Sequence, residues 1–102
     1  MYFIVLFGPG RRNETDAINK AHEAHIDQLI ERNLILLGGP WQSPVGGFSA
    51  AYVLRCTSLD HARSIAASDP MFREQVYEAT IVEWCLVGIN PDAIDAGLLT
   101  AE

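Results

Sequence analysis

The sequence is poor in cysteine, in positive charge and in long hydrophobic runs, and each scarcity removes a class of protein. Cysteine occurs only at positions 56 and 85, outside any CxxC or comparable spacing, so neither a disulfide framework nor a cysteine-rich metal site is expected. Both thiols read as small buried hydrophobes. Seven Lys and Arg stand against thirteen Asp and Glu, a net charge of −6, which is the wrong sign for a phosphate-binding surface. Nucleic acid is therefore not an expected partner. The longest apolar stretches, residues 2–7 and 34–37, fall far short of the ~20 residues that cross a bilayer, and no basic segment precedes the first. No membrane association is expected, and the chain is expected in the cytoplasm. Repeats and low-complexity tracts are also missing.

What remains is 102 residues that are 49% hydrophobic, enough for one domain. A chain of this length buries only about two-thirds of its unfolded surface, so pairing with a second copy would help it. Residues 1–88 read as that domain, and residues 89–102 as a tail that is either a short helix with Asp92 as its cap or disordered.

Residues 2–7 are a continuous run of β-formers closed by Gly8-Pro9-Gly10, which predicts a strand covered on both faces. Asn13 and Thr15 are capping residues with Glu14 and Asp16 beside them, so a helix begins here and runs to about Arg32. At about 100° per residue, Ile18, Ala21, His22, His25, Ile26, Leu29 and Ile30 share one arc, and both histidines face the core. Asn33 suits the left-handed residue that ends a helix. A second strand at 34–37 stops at Gly38-Gly39-Pro40, and residues 41–47 read as a loop where a pocket opens. A third strand spans 48–55. Ser58 caps a second helix whose Ala62, Ile65, Ala66 and Asp69 recur at helical spacing, and a fourth strand follows at 77–88.

The order β-α-β-β-α-β is that of the ferredoxin-like α+β fold: a four-stranded antiparallel sheet with two helices on one face. The other face then needs cover, and a second copy of the sheet is the simplest, which makes a dimeric α+β barrel the expected assembly.

His22, His25 and Asp69 occupy positions where apolar residues are expected. A buried polar group without a partner costs about 1–3 kcal/mol, so these groups satisfy one another or line a cavity. A carboxylate that holds one imidazole nitrogen fixes the tautomer and leaves the other nitrogen free as a general base. The same pair could equally be a polar pair in the core. His22-Glu-Ala-His25 is not HExxH, and zinc would need a third ligand for which Asp69 is the candidate; no metal and no cofactor are expected. Trp41, Ser43 and Ser49 are placed to line a pocket beside the histidines, Trp41 by stacking and Ser49 by hydrogen bonding, while His61 reads as solvated. Gly8-Pro-Gly10-Arg11-Arg12 matches no phosphate loop and reads as a strand-to-helix turn, from which Arg11 and Arg12 could steer an anionic substrate. Neither serine lies in GxSxG.

The chain resembles the YCII-related (YciI-like) family over roughly residues 1–88. The resemblance rests on the apolar first strand, His22-Glu-Ala-His25-Ile, Leu36-Leu-Gly-Gly-Pro40, Gly46-Gly47-Phe48, Ser68-Asp69-Pro70-Met-Phe72 and Val82-Glu-Trp84, in that order. It departs from the family pattern at Gln75, where glycine is common, and at Val82-Glu83. The resemblance implies a dimeric α+β barrel in which His22 and Asp69 form a catalytic pair and His25 takes a second, variable histidine position. It also implies cofactor-free chemistry of the lyase or isomerase kind on a small phenolic or chlorinated aromatic, as in the dehydrochlorination of a chlorinated hydroxyquinol. A non-catalytic dimeric ligand-binding or accessory protein is the alternative, and a metal-free oxygenase of the same architecture a third.

Overall fold

A computed structural model describes residues 1–95. The elements follow as β1 (Tyr2–Pro9), α1 (Asp16–Glu31), β2 (Ile35–Val45), β3 (Phe48–Arg55), α2 (Leu59–Ser68), α3 (Pro70–Arg73) and β4 (Tyr77–Glu83), then a single 3-10 turn at Pro91–Ala93. The strands form one antiparallel sheet in the order β2-β3-β1-β4, the ferredoxin-like arrangement expected from the order of elements.

Register assigns the faces. Phe3 pairs with Leu54 and Val5 with Tyr52, and these four side chains, with Phe7, meet Leu29 of α1 and Ala62, Ile65 and Ala66 of α2 in the core. The opposite face carries a row that crosses all four strands, Leu37, Val53, Ile4 and Val82. Leu37 and Val82 are 55% and 48% exposed, so this apolar row is open at both sheet edges.

Local chemistry sets the helix ends. The Thr15 hydroxyl accepts from Ile18 N at 3.2 Å, and the Ser58 hydroxyl from His61 N at 3.0 Å. Helix α1 closes with Asn33 at φ 56°, the Leu34 amide reaching the Leu29 carbonyl and the Asn33 amide that of Ile30, which is the Schellman arrangement. The short α3, started by Pro70, closes the same way on Gln75 at φ 63°.

Three expectations are corrected. Residues 41–47 are not a loop: β2 continues through Gly38-Gly39-Pro40 to Val45 and turns at Gly46 and Gly47, whose φ of +60° and +84° suit a tight hairpin. Prolines are tolerated there because β2 is an edge strand, and its pairing with β3 shifts register between Pro40 and Val45. Strand β4 ends at Glu83 instead of reaching residue 88. Cys85 is exposed, whereas Cys56 is buried as expected. In the tail, Asn90 caps the 3-10 turn through Asp92 N at 3.1 Å, and the remainder of the tail, 96–102, lies outside the described residues.

Candidate active site

Helix α1 brings two histidines to its inner side one turn apart. The buried stripe is narrower than the arc drawn from spacing: Leu29 is the fully buried member, while Ala21 and Ile30 face solvent. His22 and His25 are both half-buried.

Asp69 is the junction of α2 and α3. The following Pro70 pushes it out of helical geometry to φ −70°, ψ 123°, so that it ends α2 and caps α3 at once. Its side chain is 0% exposed. Oδ1 accepts from the Met71 amide at 3.0 Å and lies 2.8 Å from His22 Nδ1, and Oδ2 accepts from the Tyr52 hydroxyl at 3.4 Å. A carboxylate taken wholly out of water is costly unless its oxygens are met, and here three donors meet them. Because a carboxylate oxygen can only accept, Nδ1 is the donor, which in the neutral ring leaves the Nε2 lone pair free, on a side chain that remains 21% exposed.

Tyr52 was not among the residues singled out from sequence. Strand alternation alone puts it on the core face with Leu54, and a buried phenol needs a partner for its hydroxyl, which was the available signal. Burial first, then the nearby Asp69 charge, pushes the Tyr52 phenol far above its ordinary range, so it serves only as a neutral donor. Phe7 closes the site from the sheet, its ring edge-on to His22 at 6.1 Å and to Tyr52 at 5.5 Å, and packed on Phe72 at 4.6 Å.

His25 is held differently. Its Nε2 is buried with no hydrogen-bond partner among the described residues. Desolvation lowers its pKa, with the Asp69 charge opposing and His22 adding to the fall, so His25 favours the neutral ring.

The structure thus brings His22, His25 and Asp69 together and leaves Trp41 and Ser49 apart from them. Ser49 shares the strand face of Ala51, opposite Tyr52, on the side of the sheet away from the helices. Trp41 lies in the edge strand past Pro40 and is 37% exposed. His61 turns its Nδ1 back to the Thr57 amide and hydroxyl, 3.3 Å from each, in place of full solvation. Among the described residues no three His, Cys, Asp or Glu side chains converge as metal ligands would. Nor is any helix among them long and apolar enough to cross a membrane.

A family model described as the YCII-related domain matches residues 1–85. The uncharacterised protein YjpA of Bacillus subtilis strain 168 is 33% identical over 76 residues, covering 71% of this chain and 86% of YjpA. Among solved structures, the fold is similar to that of 5-chloro-2-hydroxyhydroquinone dehydrochlorinase (TftG) from Burkholderia phenoliruptrix AC1100 in complex with 2,5-dihydroxybenzoquinone. The TM-score is 0.59 at 18% identity, over 83% of this chain and 94% of the other.

Proposed function

The chain belongs to the YCII-related domain family, and from that premise and the site geometry we propose a small-molecule enzyme that transfers a proton through a His22-Asp69 dyad. One observation carries the reading: the His22 Nδ1 to Asp69 Oδ1 contact of 2.8 Å, made to a carboxylate with no exposure of its own. His22 Nε2 takes a proton from an acidic hydroxyl or ring carbon of the substrate. The released electron pair forms a double bond and either expels a leaving group such as chloride, the imidazolium proton then passing to water, or shifts to a neighbouring carbon to which the imidazolium returns the proton, an isomerisation. Asp69 does not exchange the proton; its fixed charge stabilises the imidazolium as it forms, which a desolvated site otherwise disfavours. A phenolic or chlorinated aromatic substrate is supported by the fold it shares with a dehydrochlorinase crystallised with a hydroxylated quinone. The reaction as written needs no cofactor.

The working unit in this proposal is a homodimer. The row of Leu37, Val53, Ile4 and Val82 is apolar across the full width of the sheet, and a second copy would cover its exposed ends, Leu37 and Val82. Two unpaired thiols, one of them exposed, favour a reducing compartment and so the cytoplasm.

A second reading is a ligand-binding or accessory protein with no turnover, favoured by one observation: surface depressions at the β4 edge and beside α1 are lined by neither His22 nor Asp69. A thermal-shift and chloride-release screen against chlorophenols, quinols and chlorinated hydroxyquinols separates the two. Turnover that falls at least about a hundredfold in His22→Ala, with the variant folded, is the expected result. Stabilisation by these compounds that persists in His22→Ala, without turnover by the wild type, would overturn the enzyme reading in favour of the second.

A further inference from the structure

A depression of about 350 Å³ lies at the β4 edge of the core, lined by Arg11, Phe72, Gln75, Tyr77, Glu78 and Ala79. Its size falls at the lower end of the roughly 300–1,000 Å³ of small-molecule sites. Phe7 separates it from the dyad, packing on Phe72 at 4.6 Å and Tyr77 at 5.3 Å on one side and facing His22 on the other.

Its rim is built. The Gln75 carbonyl accepts from both the Arg11 amide at 2.8 Å and the Arg12 amide at 3.1 Å, which locks the connection after β1 onto the turn before β4. A Cβ at Gly10 would stand 2.4 Å from that carbonyl oxygen, so the two segments meet as closely as a chain allows. Arg12 is engaged with Glu74 at 3.4 Å. Arg11 forms no ion pair among the described residues, although carboxylates outnumber cations in this chain. Gln75 adds a second sign. The turn requires its left-handed conformation, which glycine adopts freely, yet the position carries a long amide at the lining of the depression.

We infer that this depression is a binding site for a small aromatic carboxylate bearing a ring hydroxyl. The Arg11 guanidinium pairs with the carboxylate as a planar fork. Phe72 and Tyr77 supply apolar walls for the ring. The Gln75 amide and the Glu78 carboxylate flank the mouth, where Glu78 accepts a hydrogen bond from the ring hydroxyl and repels a second acidic group. The site stands independently of proton transfer by His22.

The test is titration of the full-length protein, isotopically labelled for backbone NMR, with 4-hydroxybenzoate and with its neutral analogue 4-hydroxybenzyl alcohol. Saturable shifts centred on residues 72–79 are expected for the acid, with affinity at least about tenfold weaker for the alcohol and for Arg11→Gln. Gln75→Gly, which suits the turn and preserves the fold, should weaken binding by about threefold, whereas His22→Ala should leave it within about twofold. The inference is overturned if no saturable shift occurs by about 10 mM, if Arg11→Gln binds as well as wild type, or if the shifts centre on His22. Loss of turnover in His22→Ala with benzoate binding intact would bear on the dyad alone.

Discussion

Replacing Asp69 in two ways should separate the charge of its side chain from its hydrogen bonds. In Asp69→Asn the carboxamide oxygen can take the place of Oδ1 and accept from both the Met71 amide and His22 Nδ1, while the new NH₂ donates to the Tyr52 oxygen once that hydroxyl turns. The contacts survive, but the Tyr52 hydroxyl proton loses its acceptor in the core. The orphaned phenol proton and the weaker neutral bonds are partly offset as the desolvation cost of a buried carboxylate disappears, so the net loss of stability should be about 1–2 kcal/mol. In Asp69→Ala the Met71 amide, whose bond to Oδ1 is the cap of α3, and the Tyr52 hydroxyl are both left without acceptors in the core, at about 1–3 kcal/mol each. His22 loses its partner too but can turn to water, being 21% exposed. The alanine variant should therefore lose about 4 kcal/mol, a large share of the 5–15 kcal/mol by which domains are stable. Equilibrium urea unfolding, followed by the fluorescence of Trp41 and Trp84 and by circular dichroism, measures both. Activity should fall in both variants alike, because neither supplies an anion to the imidazolium. Equal stability of the two variants, within about 0.5 kcal/mol, would refute the claim that these hydrogen bonds hold the α2–α3 junction together.

Further outcomes follow from the same structure. His25 is held below the ordinary histidine value of 6.5, chiefly by desolvation, with Asp69, His22 and Arg73 facing it. The unfolded chain therefore binds the His25 proton first, and stability that is complete above pH 6.5 should decline as the pH falls below it; unfolding of His25→Leu against pH should show a flatter decline over the same range. Cys85 should react with a thiol reagent in the native protein at once, whereas Cys56, buried and with its thiol pKa raised by desolvation, should react only on unfolding. Val82→Asp, at the exposed end of the apolar sheet row, should shift light-scattering mass from dimer to monomer without altering the circular dichroism of the fold; a wild type that is already monomeric would remove the dimer from the proposal.

Much of this molecule was legible because its signals are local. Thr15, Ser58 and Asn33 act within a few residues of themselves, so the helix ends could be read before any tertiary contact was known. The period of the apolar residues likewise brought His22 and Asp69 to the core side of their helices. The stretch from Gly38 to Gly47 shows where local signals fail. Its glycines and prolines resemble a loop in any window, and only its place at the sheet edge, with β3 on one side and nothing required on the other, permits a strand. Ser49 was misplaced for a related reason: its strand was right, but the face depends on pairing with β1, which no short stretch encodes.

By itself, then, the order of residues determined the succession of strands and helices, the caps that bound them and the polar side chains that needed partners, because these depend on spacing and near-neighbour chemistry. Tertiary structure alone decided which partners they found. Asp69 takes one donor from its own turn and two from α1 and β3, 47 and 17 residues away in sequence. Arg11 meets the Gln75 turn by the same kind of long-range closure. Such contacts are chosen by packing and register, whose energies exist only once the whole sheet and its helices are assembled.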